Sequence, residues 1–386
     1  MKKIFVFLAV LLVSVSACKN PFLKKMLVED EKEIESPAPA TPANPGVPKP
    51  QLPKYTITFG VEGGTGGTLK AQVDGNEIHT GDSVEQGKTL VFTAKPAPDY
   101  VVEQWTKGGT VIGEAGTDTS YTYAVTANAD IKVKFQSLFV EGGASLILSP
   151  DKLDIKVKVT TADNSSVRIE GCTETELTSG TQTVLHAKGR RVILKGNITK
   201  LYCSFNQLTA LNVQGLTALQ TLYCSFNQLI ALNMQGLTAL EVLDCSYNQL
   251  TAFNVQGLTA LKWLYCFNNQ LTALNMQGLT ALKWLYCFNN QLTALNVQGL
   301  TALERLDCYG NRLTADAFKK LFDDLPQRAD SDNAKCVLYT EQTGVTEGNH
   351  TDFTAPPDLA DTFNNAKNNK KWKMYKINGR GHWVEI

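Results

Sequence analysis

A 21-residue repeat constrains this chain more than any other feature of its sequence. Cysteines recur at that interval through the second half of the chain, and an asparagine follows each of them three residues later. The cysteines are Cys203, Cys224, Cys245, Cys266, Cys287 and Cys308, and the asparagines are Asn206, Asn227, Asn248, Asn269, Asn290 and Asn311. Self-similarity at a fixed period predicts an array of stacked supersecondary units.

One repeat cannot fold by itself. The unit around Cys224 offers about seven inward apolar groups between Leu216 and Met234, and ordering a whole repeat costs more free energy than burying them contributes. Stacked repeats add backbone hydrogen bonds between neighbours and bury both faces of each unit. The spacing therefore predicts that residues 198–313, called the repeat array below, fold as one body.

The motif Leu-x-x-Leu-x-Cys-x-x-Asn-x-Leu resembles the leucine-rich repeat, with cysteine in place of one inward leucine. The chain is similar in this respect to bacterial leucine-rich repeat surface lipoproteins. The resemblance implies a mainly β fold, a solenoid of parallel sheets with about six coils, preceded by a small β module and followed by an α+β cap. The unit also half-repeats, since Leu208 and Leu211 echo Leu219 and Leu222. We therefore expect a second short strand in each repeat, with sheet on two sides.

The cysteines of the array alternate with outward residues, so we expect them to face inward as small apolar groups. A zinc site requires paired or clustered ligands that converge, and a single file of thiols in stacked strands does not converge. Disulfides between repeats require a side-chain geometry that parallel inward vectors rarely give. Cys172 and Cys336 flank opposite ends of the array, too far apart to bridge, and their role stays open. The sequence predicts mostly free thiols, no metal and no cofactor.

The asparagines after the cysteines are expected to hydrogen-bond neighbouring backbone and to hold the turn. Two further sets of polar residues recur every 21 residues, and we call them the second file and the third file, the first file being the asparagines after the cysteines. They are Asn212, Asn233, Asn254, Asn275 and Asn296, and Gln214, Gln235, Gln256, Gln277 and Gln298. These two files are structural or simply solvated.

The residues that alternate with the inward positions point to solvent in each predicted strand. The candidate partner-binding residues are Tyr223, Trp263, Tyr265, Phe267, Trp284, Tyr286, Phe288 and Tyr309. Charged residues flank them, with Glu241 and Asp244 on one side and Glu304, Arg305 and Asp307 on the other. An aromatic centre with a charged rim is typical of protein-binding surfaces. Two alternatives remain open: the aromatics only stabilise the sheet through cross-strand pairs, or recent duplication of repeats copied them.

The first 18 residues predict export. A short basic start precedes an apolar run, residues 4–13, that is about half of the roughly 20 residues a membrane-spanning helix needs. Val15-Ser16-Ala17-Cys18 resembles the bacterial lipobox, which implies cleavage after residue 17 and a diacylglycerol anchor on Cys18. The alternative is an ordinary signal peptide in which Cys18 is incidental. Residues 18–53 form a proposed tether, because residues 37–53 hold seven of the chain's 14 prolines.

Residues 54–136, called the module below, read as a small β domain with strands near residues 55–59, 68–71, 89–94, 121–125 and 131–135. The run Phe92 to Tyr100, with Trp105 after it, resembles the divergent internalin B-repeat module of bacterial surface proteins. That resemblance implies a stalk or spacer unit. Residues 137–197, called the flank, alternate cleanly at 153–159 and are expected to cover the first edge of the array.

Residues 314–386, called the C-terminal segment, are expected to close the other end. Phe318, Leu321, Phe322 and Leu325 have helical spacing, which predicts an amphipathic helix over 315–325 that stops at Pro326. Two alternating runs, 371–377 and 382–386, flank Asn378-Gly379 and predict a hairpin.

Composition and motifs exclude some classes of function. With 37 basic and 37 acidic side chains the formal net charge is zero, which argues against a nucleic-acid partner. The four histidines lie in no metal-binding or nucleophile motif, so we do not expect an enzyme. Three classes of function remain. The first is a lipid-anchored surface adhesin that binds a host or bacterial protein. The second is an envelope structural or assembly protein, and the third is a glycan-binding lipoprotein. We expect the envelope location to be the outer membrane, exposed at the surface.

Overall fold

The computed structural model describes residues 51–386. The proposed signal peptide, Cys18 and nearly all of the tether lie outside the described residues. Within residues 51–386, no helix combines the length and the apolar composition needed to cross a membrane.

The module consists of two small β-sheets. Its strands are β1 (Lys54–Val61), β2 (Gly67–Val73), β3 (Asn76–Ile78), β4 (Asp82–Glu85), β5 (Thr89–Pro96), β6 (Tyr100–Lys107), β7 (Thr110–Val111), β8 (Ser120–Ala124) and β9 (Ala129–Ser137), with a 3₁₀ turn at Glu62–Gly64. The sheets have the orders β4-β1-β9-β6-β7 and β3-β2-β5-β8. Alternate residues of β5 and β9 are buried, and Trp105 is enclosed between the sheets' side chains. The five predicted strands are confirmed with shifted ends, and β3, β4, β6 and β7 are additional.

The flank pairs with the first repeat on two sides. Its strands are β10 (Gly143–Ile147), β11 (Asp154–Thr161), β12 (Val167–Glu170), β13 (Glu176–Leu177), β14 (Gln182–His186) and β15 (Arg191–Lys195). Strand β11 pairs antiparallel with Ile198–Tyr202, and β10 pairs antiparallel with Ala210–Asn212. Inward residues of β11 such as Val157 are fully buried. Strands β10 and β11 thus pair with the first repeat of the array.

The repeat array forms one parallel sheet with one strand per repeat. The strands are β16 (Ile198–Tyr202), β18 (Thr221–Tyr223), β19 (Val242–Asp244), β20 (Trp263–Tyr265), β21 (Trp284–Tyr286) and β22 (Arg305–Asp307), and β17 (Ala210–Asn212) lies outside this sheet. The register is one repeat per strand, so Leu222 pairs with Leu243 and Leu243 with Leu264. The leucines and cysteines of this sheet form one continuous buried core.

The prediction of a second strand in every repeat is wrong. Only β17 forms, and it pairs with β10 of the flank; beyond it a single bridge joins Asn212 to Asn233 within the described residues. Each asparagine of the second file accepts a hydrogen bond from the backbone two residues later, as Asn212 does from Gln214 and Asn233 from Gln235. Because Asn212 makes this bond at the end of β17, the difference from later repeats is that β17 has β10 of the flank to pair with. A glycine at positive φ follows, at 86° in Gly236. These side chains specify a turn where the apolar spacing alone suggests a strand.

The C-terminal segment continues the sheet. It contains α1 (Ala315–Asp324), a 3₁₀ turn (Asp330–Asp332), β23 (Lys335–Thr340), α2 (Pro357–Asn368), β24 (Lys373–Ile377) and β25 (Trp383–Glu385). The predicted helix and hairpin are confirmed, while β23 and α2 were not predicted. Phe318, Leu321 and Phe322 of α1 are buried in the same core as the array leucines. Strands β23 and β24 extend the parallel sheet, and Cys336 pairs with Leu306.

Asp99 connects the module to the array. Its Oδ1 accepts a hydrogen bond of 2.9 Å from Asn212 Nδ2, and its Oδ2 accepts one of 2.5 Å from Asn233 Nδ2. Two members of the second asparagine file are therefore structural rather than merely solvated.

Candidate functional site

The predicted aromatic residues flank the inward leucines of the parallel sheet. Trp263 and Tyr265 of β20 lie beside Trp284 and Tyr286 of β21, because the two strands are in register. The two indoles meet edge to face at 6.5 Å between ring centroids, and the two phenols stack at 5.1 Å. We call these four residues the sheet patch. Trp284 leaves 39 % of its surface exposed, whereas the other three are half-buried. The patch is therefore less exposed than the sequence predicted, because its rings cover one another.

The remaining predicted residues lie in two places, one within the sheet and one just after the strands. Tyr223 stacks on Tyr202 at 5.1 Å within the sheet. Phe267, Phe288 and Tyr309 instead form a column just after the strands, with successive centroids 4.3 and 4.5 Å apart. The eight candidates therefore do not form one cluster: ring contacts join the four of the sheet patch and the three at the strand exit into separate sets, and Tyr223 contacts only Tyr202.

Three further aromatics, which sequence reasoning missed, continue the column. Phe205 stacks on Phe226 at 4.2 Å, Phe226 on Tyr247 at 4.0 Å, and Tyr247 meets Phe267 edge to face at 5.4 Å. The column thus contains one ring from each of six repeats. We call it the exit column.

The residue that supplies the ring of the exit column changes between the third and fourth repeats. Phe205, Phe226 and Tyr247 stand two residues after the cysteine, with φ of 63°, 53° and 51°. The equivalent residues of later repeats are Asn268, Asn289 and Gly310, which also have positive φ, and their rings come from the preceding residue. Asparagine and glycine tolerate this left-handed conformation, whereas a bulky aromatic residue there costs roughly 1–2 kcal/mol. The first three repeats therefore place aromatics where the backbone disfavours them.

A buried asparagine ladder supports the strand exit. Asn248 illustrates it: Nδ2 donates to the carbonyls of Cys224 and Cys245, and Oδ1 accepts from the backbone N–H of Leu229 at 3.0 Å. The same pattern recurs along the array. The ladder fixes the turn that carries the exit column, as the sequence predicted for this file.

The cysteines belong to the core rather than to a reactive site. All six in the array are fully buried, and burial raises the pKa of the Cys203 thiol to about 12. The pKa values of the next four thiols along the array are also raised well above the usual value, with burial the largest cause. The eight cysteines of residues 51–386 form no disulfide. These thiols stay protonated at neutral pH, which makes them poor nucleophiles and poor metal ligands.

Most charges of the rim around the sheet patch are paired with one another, whereas Asp244 accepts hydrogen bonds from Ser246 and has no cationic partner within residues 51–386. Lys262 lies 2.8 Å from Glu241, and Lys283 lies 3.4 Å from Glu304. Arg305 binds Asp307 through two nitrogens at 2.7 and 3.0 Å. Three ion pairs and the single carboxylate of Asp244 leave the rim with little net charge, so the energy of a contact here would come mainly from the aromatic rings.

The C-terminal segment contributes a residue to this region. Trp383 of β25 is 45 % exposed and lies under the guanidinium of Arg305, 3.9 Å from its ring centroid. Arg305 also approaches the ring of Tyr286 at 5.5 Å. Nothing in the local sequence relates positions 305 and 383, because the contact depends on β23 and β24 extending the sheet.

Burial also alters the phenols of the patch. It raises the pKa of Tyr265 to about 12, with the neighbouring Tyr286 adding to the effect. The phenols are therefore neutral at physiological pH and able to donate a hydrogen bond to a ligand. In the part of the chain that the structure describes, no three histidine, cysteine, aspartate or glutamate side chains are arranged to hold a metal ion.

Comparison with known proteins relates part of the chain to a family. Residues 55–138 match the family described as the divergent InlB B-repeat domain. A solved structure described as the functional domain of InlJ from Listeria monocytogenes, including a cysteine ladder, is similar at 24 % identity with a TM-score of 0.30. That similarity covers 44 % of this chain and 43 % of that chain, so less than half of either is matched. No curated protein sequence matches the chain.

Proposed function

We propose that this chain is a non-enzymatic, lipid-anchored surface protein whose leucine-rich repeat solenoid binds a protein partner, as an adhesin for a host-cell or extracellular-matrix component. The sheet patch carries this proposal, because it presents two adjacent indoles and two phenols on a rigid parallel sheet. Tryptophan and tyrosine dominate the binding energy of protein interfaces. The match of residues 55–138 to the divergent InlB B-repeat domain supports a surface role.

The rim, in which most charges are already paired, favours a protein partner recognised by shape and apolar contact. Glu241, Glu304 and Asp307 already have cationic partners, so a strongly charged ligand would have to displace them. Trp383 and Arg305 extend the surface towards the C-terminal segment, which enlarges the area available to a folded partner.

The double substitution Trp263→Ala with Trp284→Ala is expected to weaken partner binding at least tenfold and to leave the melting temperature nearly unchanged. Each indole contributes on the order of 2 kcal/mol to an interface when it is buried there. The measurement is capture of host-cell proteins on the mature chain, followed by titration of the captured partner. Phe139→Ala is the matched control, because Phe139 is 52 % exposed outside the array. A large loss of stability with binding intact would show that the rings only stabilise the sheet.

The same capture experiment tests the other two classes. Recovery of a bacterial envelope protein would favour an assembly role, and selective binding to a glycan array would favour a glycan ligand. Protease treatment of intact cells is an independent check, since complete protection of the chain would exclude the adhesin.

We propose Cys18 as the lipid attachment site, with residues 18–53 as the tether between the membrane and the module. The lipobox-like residues Val15-Ser16-Ala17 support this assignment. Cys18→Ala is expected to move the protein from the membrane fraction to the soluble fraction. Retention of the Cys18→Ala protein in the membrane pellet would disprove the anchor.

A further inference from the structure

A shallow groove follows the first half of the exit column. It has a volume of about 580 Å³ and is lined by Phe205, Phe226 and Tyr247 together with the glutamines of the same repeats. The three rings expose 63 %, 40 % and 42 % of their surfaces, which makes them the most exposed aromatics of the array. The groove lies at the strand exit, separate from the sheet patch.

The lining of the groove is uncharged. Besides the rings it presents exposed side-chain amides of Gln207, Gln228 and Gln249, one from each of three consecutive repeats. Neighbouring strands of a sheet lie about 4.8 Å apart, so the ring edges and amides recur at that interval along the groove. A ligand that matches it is neutral, extended, apolar along one side, and able to accept hydrogen bonds at regular spacing.

The backbone indicates that these rings serve contact rather than folding. The fourth and fifth repeats hold Asn268 and Asn289 where the first three hold aromatics, and the same left-handed turn forms in each. The turn therefore does not need an aromatic residue at this position. Bulky residues persist in such strained conformations mainly where they have a functional role.

We propose that this groove binds a proline-rich polypeptide segment in the polyproline II conformation. Such a helix advances about 9.3 Å in three residues, and two repeats of the array advance about 9.6 Å. Prolines three residues apart therefore meet equivalent positions two repeats apart. The backbone carbonyls of the helix have no internal partners, so the glutamine amides donate to them, while the aromatic edges contact the pyrrolidine rings.

The spacing that the groove selects occurs in this chain's own sequence. Prolines 39, 42, 45 and 48 stand three residues apart, and a synthetic peptide of residues 37–50 is a suitable probe supplied in trans. A second peptide of the same composition, with the prolines moved to irregular spacing, tests the register.

The test is titration of each labelled peptide with the mature chain, followed by fluorescence anisotropy. We expect saturable binding of the regular peptide and at least tenfold weaker binding of the irregular one. Phe226→Asn and Tyr247→Asn should each weaken binding of the regular peptide at least tenfold. We expect little change in melting temperature, because the loss of the ring contacts is offset by relief of the left-handed strain, which is of similar size. Tyr247→Phe should retain binding. Ile230→Thr is the control, since Ile230 is 66 % exposed and the five other repeats have threonine at that position.

Equal binding of the two peptides, the absence of saturable binding, or unchanged binding by the asparagine variants would overturn the proposal. Displacement of the peptide by a neutral oligosaccharide, with tighter binding of the sugar, would assign the groove to a glycan instead. The inference does not depend on the proposed function, because the Trp263→Ala with Trp284→Ala chain should bind the peptide normally.

Discussion

Asn248→Ala is expected to lower the free energy of unfolding by about 3 kcal/mol, since the side chain hydrogen-bonds four backbone groups of two repeats, the fourth being the carbonyl of Ser246. Its Oδ1 is the acceptor for the buried N–H of Leu229, and its Nδ2 donates to the carbonyls of Cys224 and Cys245. Alanine leaves the N–H without a partner in a site where only 8 % of residue 248 is exposed. The two carbonyls keep one donor each, from Asn227 and Asn269, so most of the loss comes from that single N–H.

Asn275→Ala is the matched control from the second asparagine file. Its side chain accepts one hydrogen bond, from the backbone N–H of Gln277, in an exposed turn where water can replace it. We expect a change below about 1 kcal/mol. Urea denaturation of both variants, followed by circular dichroism, measures the difference. Equal and small effects would show that the ladder is not a source of stability.

The two asparagine files also show what periodicity can predict. The file after the cysteines was assigned correctly, because a polar residue at a fixed place beside buried strands must satisfy backbone groups. The role of the second file stayed open between structural and solvated, because a 21-residue period does not show which groups an exposed asparagine bonds to. Asn233 bonds to Gln235 and turns the chain, whereas the leucine spacing around it is equally compatible with a strand. Apolar periodicity predicts which residues are buried, and here it did not predict their backbone conformation.

The candidate site was predictable where it lies on regular strands. The positions of Trp263 and Trp284 follow from alternation about a buried leucine. Phe205, Phe226 and Tyr247 escaped prediction because they lie beyond the strands and themselves have positive φ, so the strand alternation does not extend to them. Trp383 escaped because its contact with Arg305 joins positions far apart in the chain. Strand β23 and helix α2 lie outside the repeat, so no internal copy reveals them.

Gly215→Ala is expected to lower the free energy of unfolding by about 3 kcal/mol or more, by forcing the flank away from the first repeat. A Cβ at position 215 would stand 1.8 Å from the carbonyl oxygen of Val140 and 2.8 Å from that of Gly143. Both oxygens are backbone atoms beside β10, so relief requires moving the strand that pairs with β17. Differential scanning calorimetry measures the loss, and hydrogen exchange at Leu146 and Leu211 reports whether the β10–β17 pairing opens.

Gly257→Ala separates this close approach from the ordinary role of glycine in the repeat. Gly257 occupies the same repeat position two units later, with φ of 82° and no atom within 4 Å of an added Cβ. Its substitution carries only the cost of a left-handed conformation, about 1–2 kcal/mol, and should leave hydrogen exchange in β10 unchanged. One repeat position thus holds glycine for two reasons: space against the flank in the first repeat, and backbone conformation in the later ones. Equal losses for the two variants, with β10 protected in both, would contradict the tight contact between Gly215 and Val140.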